Sequence, residues 1–161
     1  MSLFSVIETK LHAEKVRLLP EGLGLNDWSF ISNVLDNETA RIVIGWDPGE
    51  VKVLSTNISK QWITCKFHFV KHQSDLNVSF FYGLHTPAAR QDMWDYIQVQ
   101  GGSSQAHPWL LMGDFNAAME ASDCQGGDPA WQGHKQAFGQ CIHQAELHTV
   151  PYQGIKFTWH N

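Results

Sequence analysis

Charge is what this sequence has least of. Charged residues fill 17% of its 161 positions, against ~25% in an ordinary soluble domain. Basic residues are the scarcest. There are 11 Lys and Arg against 16 Asp and Glu, and beyond residue 80 only three basic residues face seven acidic ones. Such a surface matches a polyanion poorly, so any hold on nucleic acid would need bound metal or residues from elsewhere. Cysteine is equally sparse. Cys65, Cys124 and Cys141 are too few, and odd in number, for a disulfide framework, which points to a reducing compartment. The nine histidines are not accompanied by a Cys-x2-Cys pair, so they read as helix-face and loop residues rather than structural zinc ligands. No apolar run approaches the ~20 residues of a membrane-crossing helix. The first ten residues lack a basic stretch and a cleavage site, and are expected to form a strand rather than a signal peptide. Internal repeats and low-complexity tracts are missing too.

What is present suffices for a core. Apolar residues make up 43% of the chain and aromatics 12%. A chain of this length is one domain in size and should bury about 68–70% of its unfolded surface. The expectation is a single domain over residues 1–161, with loops at 36–39, 100–107 and 123–133, where Gly, Ser, Asp and Asn gather.

The pattern between those loops is mostly strand. Leu3–Ile7 is a short apolar run, and Arg41–Trp46 and Val51–Ser55 are divided by the turn signal Asp47-Pro48-Gly49. Gln61–Phe69 alternates, with Ile63, Cys65, Phe67 and Phe69 on its buried face. Asn77–Tyr82 and Trp109–Met112 are more uniformly apolar, as strands covered on both faces should be. Two helices are predicted. One follows Thr86-Pro87, an N-cap with proline at the first helical position, and shows Ala89, Met93, Trp94 and Ile97 to the core. The other runs roughly from Trp131 to Leu147, with His134, Phe138, Cys141, Ile142 and Ala145 on one side, and ends ahead of Pro151. Most of the tryptophans fall in these elements and read as core; Trp28 and Trp131 are expected to be exposed. Many strands and few helices predict a layered α/β protein.

Three of the apolar runs end in polar groups that are costly to bury idly. Leu3–Ile7 ends at Glu8, Val78–Phe81 ends at Tyr82, and Trp109–Met112 passes through Gly113 into Asp114-Phe115-Asn116. Asp114 and Asn116 are two apart, so an extended chain would show both on one side. Two carboxylates, an amide and a phenol suit a hard divalent cation and a phosphate. Mg2+ needs only one or two carboxylates beside a substrate phosphate, and amide and phenol can donate hydrogen bonds to phosphate oxygens. The same residues also suit plain structural roles: a solvated strand end, an interface phenol and a turn aspartate.

Six segments occur in a fixed order: Ile7-Glu8-Thr9-Lys10, Arg41-Ile42-Val43-Ile44-Gly45-Trp46, Phe81-Tyr82-Gly83, Ala89-Arg90-Gln91-Asp92-Met93-Trp94, Gly113-Asp114-Phe115-Asn116 and Phe157-Thr158-Trp159-His160-Asn161. Together they resemble the endonuclease/exonuclease/phosphatase superfamily, in the version carried by plant LINE-type (non-LTR) retrotransposons. The resemblance implies a DNase-I-like, four-layer α/β sandwich with two facing, mostly antiparallel sheets. It implies Mg2+ or Mn2+ as cofactor, DNA as partner of the intact domain, and a nuclear location. It matches Glu8 to the metal-binding glutamate and Tyr82 to the tyrosine that approaches the scissile phosphate. Asp114 is matched to the aspartate that handles water or leaving group, and Asn116 to the asparagine that orients phosphate. Arg90 and Trp94 look supportive.

The family also has an Asn-x-Arg-Gly-like strand before Glu-Thr-Lys, and Ser-x-x-Asp and Ser-Asp-His elements after Phe-Thr-Trp. None occurs here. The expectation is therefore an incomplete domain, truncated at both ends, with Glu8, Tyr82, Asp114 and Asn116 as a partial site. Lacking the histidine, it should be slower by the ~10²–10⁴ that positioned proton transfer contributes. Unpaired strand edges should also reduce its solubility.

Overall fold

A computed structural model describes residues 1–34, 39–103, 108–124, 133–151 and 153–154. They form a mixed α/β structure that divides into two compact units, Met1–Gly83 with Ala106–Asp114, and Leu84–Gln105 with Phe115–Asn161.

The first unit is a two-sheet sandwich. One sheet holds β1 (Leu3–His12), β3 (Thr39–Trp46) and β2 (Ser29–Ser32) in the order β1-β3-β2. The other holds β4 (Val51–Ile58), β5 (Trp62–Phe69), β6 (Ser74–Tyr82) and β7 (Trp109–Asp114) in sequence order. Pairing is antiparallel except between β6 and β7, which run parallel. The predicted turn after Trp46 carries the chain from one sheet to the other. Asp47 organises it, its side chain accepting from the Gly49 amide at 2.8 Å and its carbonyl from the Val51 amide at 2.9 Å.

The core lies between the sheets because each alternating strand turns its apolar side inward. Ile63, Cys65 and Phe67 of β5 are fully buried and meet Ile42 and Ile44 of β3 together with Val78, Phe80 and Tyr82 of β6. Burying a side chain of the Ile or Phe class stabilises by roughly 1.5–3 kcal/mol, so these positions dominate the unit's stability. Trp28, expected to be exposed, is half-buried with its ring 5.7 Å from that of Phe4.

Other expectations need correction. β1 extends five residues beyond Ile7, because a bulge lets pairing resume at Leu11. β6 is buried along Val78–Tyr82, but β7 is a sheet edge among the described residues, and its last three residues are exposed. Two short helices, α1 (Ala13–Arg17) and α2 (Leu19–Gly22), bury nothing and so carry no amphipathic signal. Strand β2 has only four residues, all half-buried.

The second unit packs α3 (Gln91–Ser103) against α4 (Ala137–Gln144). A 3-10 turn at Ala88–Arg90 leads into α3, with the Thr86 hydroxyl accepting from the Ala89 amide at 3.3 Å. Met93, Trp94 and Ile97 are buried as predicted. Phe138 is stacked between Trp94 and Phe115, with ring centroids 5.0 and 4.7 Å away. Gly101 lies so close to Ala145 that an added Cβ would sit 2.7 Å from the alanine Cβ. α4 is shorter than predicted. It ends at Gln144, where the chain turns through left-handed Glu146 (φ 54°), well before Pro151. Trp131, the closing segment 157–161 and most of the three predicted loops lie outside the described residues.

The cysteines test this packing directly. Burial pushes the Cys65 thiol up to about 12 and the Cys141 thiol up to about 11, the latter aided by Asp95. Cys124 is exposed. Since the thiolate is the reactive species, iodoacetamide at pH 8 is expected to place one adduct on the native chain, at Cys124. Mass spectrometry should then show three adducts after denaturation. Native-state labelling of Cys65 at the rate of Cys124 would contradict the sandwich core.

Candidate functional site

Glu8 is set by a bulge. Ile7 pairs with Ile42 and Leu11 with Ala40, so three residues of β1 (Glu8, Thr9, Lys10) lie across from the single residue Arg41 of β3. Glu8 (φ 57°) and Lys10 (φ 53°) both take left-handed backbone, which costs about 1–3 kcal/mol per residue and is found where surrounding structure enforces it. The Thr9 hydroxyl donates to the Ala40 carbonyl at 2.8 Å and ties the bulge to β3. Bulges re-aim side chains next to active sites, and this one turns Glu8 toward the end of β6.

There it meets Tyr82, whose phenol also feels the charge of Asp114. Tyr82 and Asp114 are directly registered on the parallel strands β6 and β7, and the Gly83 amide donates to the Asp114 carbonyl at 2.7 Å. The Lys10 ammonium, 3.2 Å from the Glu8 carboxylate, holds that carboxyl below its usual range. Burial opposes this, and the Tyr82 hydroxyl and the Arg41 charge add smaller lowering effects. Burial pushes the Tyr82 phenol up, as do the charges of Glu8 and Asp114, and Arg41 opposes them. The Arg41 guanidinium carbon stands over the Tyr82 ring, 5.6 Å from its centroid. Glu8, Arg41, Tyr82 and Asp114 thus share one neighbourhood in the first unit.

Asn116 behaves differently. β7 ends at Asp114, and Asn116 has left-handed backbone (φ 47°), which asparagine tolerates better than most residues. The chain is not extended there, so the two-residue alternation does not fix where its amide points. Gly113 also has another role than close approach to a ligand. With φ 135°, a Cβ there would run into the carbonyl oxygen and amide of Phe81, so the close approach is to β6. Arg90 is buried and committed to backbone, one guanidinium nitrogen donating to the carbonyls of Leu84 (2.8 Å) and His85 (2.9 Å).

A hard divalent ion fits the donor set. Glu8 is half-exposed and Asp114 exposed, and both offer carboxylate oxygens. Among the described residues no group of three or more His, Cys, Asp or Glu gathers. The remaining positions would fall to water and substrate phosphate, which is how Mg2+ is commonly held. Lys10 would yield its place readily, since a pair this exposed is weak. Two contributors were not singled out from sequence as site residues, Arg41 and Lys10. The signal for Arg41 was available: a lone cation opening an apolar strand in a chain poor in cations.

No family model matches the sequence, and no curated protein matches it. Solved structures do match in fold. An endonuclease/exonuclease/phosphatase family protein from Bacteroides thetaiotaomicron superposes with a TM-score of 0.60 at 12% identity, over 87% of this chain and 54% of that one. A mannosyl-6-phosphatase from Bacteroides thetaiotaomicron VPI-5482 gives 0.59 at 12% identity, over 87% and 56%. D. rerio TDP2 complexed with a single-strand DNA product gives 0.51 at 13% identity, over 73% and 48%. The chain thus spans about half the length of these structures. Among the described residues no helix is long and apolar enough to cross a membrane. The fold of this chain is that of the DNase-I-like endonuclease/exonuclease/phosphatase structures.

Proposed function

We propose that Glu8, Tyr82, Asp114 and Asn116 belong to a metal-assisted phosphoester-hydrolysing site. We take residues 1–161 as part of a retroelement endonuclease domain. The observation that carries this is the approach of Glu8 to Tyr82, which is registered beside Asp114, built by a strained bulge. The fold likeness supports the phosphoester chemistry, and the fixed order of the six segments supports the origin. Glu8 and Asp114 would hold Mg2+ or Mn2+, which when bound withdraws charge from phosphate oxygens. Asp114 orients the attacking water or the leaving group, Tyr82 donates a hydrogen bond as negative charge grows on phosphate, and Asn116 orients the phosphate. The raised phenol keeps Tyr82 protonated, as a donor must be. None of these residue types accepts protons at neutral pH as histidine does, so turnover by this chain alone is expected to be low. The net charge of −5 keeps its affinity for DNA weak.

Two measurements test this. Mn2+ should broaden the backbone resonances of residues 8, 82 and 114, and Glu8→Gln should reduce that broadening at least tenfold in apparent affinity. Supercoiled plasmid with Mg2+ should stay uncut at enzyme concentrations where a complete nuclease would finish. Nicking that both EDTA and Asp114→Ala abolish would overturn the expectation of low turnover. If Mn2+ does not localise, the chain is a non-catalytic binding scaffold. Hydrolysis of p-nitrophenyl phosphate without nicking would favour a phosphatase of small esters.

A further inference from the structure

We infer that Arg41 is the phosphate-binding cation of this site, its guanidinium fork engaging non-bridging phosphate oxygens beside Tyr82. The inference rests on the phosphoester reading above.

Geometry carries it. Arg41 is the residue of β3 across from the Glu8–Lys10 bulge, and its guanidinium carbon stands 5.6 Å from the centroid of the Tyr82 ring. Its backbone is fixed, because the Arg41 amide donates to the Asn33 side-chain oxygen at 2.9 Å. The side chain is half-buried, yet among the described residues its guanidinium has no carboxylate within ion-pair distance and no hydrogen-bond acceptor. None of its nitrogens is among the buried atoms left without a partner, so they face solvent and are open to a ligand.

The neighbouring cation is already engaged, Lys10 being paired with Glu8. The guanidinium carbon lies over the Tyr82 ring, which places the cation beside the phenol. The guanidinium fork matches two phosphate oxygens at once, which an ammonium cannot do. Arg41 would also answer the chain's acidity by placing one positive charge where the substrate's negative charge must sit.

The test uses the full chain labelled with 15N and titrated with thymidylyl-thymidine, a nucleic-acid phosphodiester, and separately with inorganic phosphate. The expected result is a saturable shift of the Arg41 Nε–H resonance together with the Tyr82 and Asp114 amides. A diester site gives tighter binding of the dinucleotide, and a monoester site gives tighter binding of inorganic phosphate. Arg41→Met should weaken binding at least tenfold with an unchanged amide fingerprint, and Arg41→Lys should recover only part of the loss. The Arg41 Nε–H shift in the unsubstituted chain decides the matter even if Arg41→Met folds poorly. Equal binding by a folded Arg41→Met, with Tyr82 and Asp114 still shifting, overturns the role of Arg41 and leaves the site. If neither probe moves Tyr82 or Asp114, both readings fall.

Discussion

Alanine at position 113 is expected to lower the stability of the chain by about 3 kcal/mol or more. Two independent effects add. The backbone at Gly113 has φ 135°, a region that side chains with a Cβ rarely adopt, and strain of this kind costs on the order of 1–3 kcal/mol. The new Cβ would also strike the Phe81 carbonyl oxygen and lie 2.8 Å from its amide nitrogen. Both struck atoms are backbone of a strand buried along Val78–Tyr82, so relief must come from β7. Moving β7 breaks the register Phe81↔Gly113 and Tyr82↔Asp114. Natural domains are stable by only about 5–15 kcal/mol, so the loss is a large share of the total. Urea unfolding followed by tryptophan fluorescence measures it. Gly22→Ala is the control: nothing lies within 4 Å of a Cβ there and φ is ordinary, so its midpoint should not fall and should rise slightly, reflecting the ~0.4–1 kcal/mol that a compatible Gly→Ala change contributes. A Gly113→Ala midpoint equal to the control's would mean that β7 does not approach β6 as described. The same substitution should weaken Mn2+ binding, because Asp114 rides on the displaced strand.

Gly113 also shows where sequence reading succeeds and where it stops. As a glycine before Asp-Phe-Asn it was visibly special, but nothing local said that the close neighbour would be Phe81. The alternation of β5, the Asp47-Pro48-Gly49 turn and the Thr86-Pro87 helix start were legible because each is a local pattern with a local cause. The bulge in β1 was not, since register depends on the partner strand. Its consequence is the turning of Glu8 toward Tyr82 across two sheets. The polar ends of three apolar runs pointed to Glu8, Tyr82 and Asp114; the structure sets Glu8 near Tyr82 and registers Tyr82 beside Asp114, and their role in a site is the proposal made above. Arg41 was missed because it lies near the start of β3, and the same reasoning looked only at strand ends. The alternation argument for Asn116 failed for another reason. It assumed extended chain beyond Asp114, where the backbone turns left-handed.

Asn33 carries the other large effect, and no sequence pattern singles it out. It follows the short strand β2 and is 4% exposed. Its side-chain oxygen accepts from the amides of Arg41 (2.9 Å) and Ile42 (2.8 Å), and its amide group donates to the carbonyls of Ser59 (3.2 Å) and Lys60 (2.8 Å). One side chain thus ties β3 of the first sheet to the β4–β5 connection of the second. Truncation strands the amide of fully buried Ile42, and an unsatisfied buried group costs about 1–3 kcal/mol. Loss of the remaining bonds brings the expected cost of Asn33→Ala to roughly 3–4 kcal/mol. Asn33→Asp separates hydrogen bonding from side-chain volume. It keeps the acceptor and loses the donor, leaving a carboxylate against two carbonyl oxygens. Burial and those carbonyls raise the folded-state pKa of the new aspartate. The folded state then binds the extra proton more readily than the unfolded state, so stability falls as pH rises through that raised pKa and recovers below it. Urea midpoints of Asn33→Asp should therefore climb from pH 7 to pH 5 relative to the parent chain, while those of Asn33→Ala should track the parent. A parallel response of the two variants would show that Asn33 merely fills space. A diverging one would establish that its hydrogen bonds join the sheets and hold the Arg41 backbone in place.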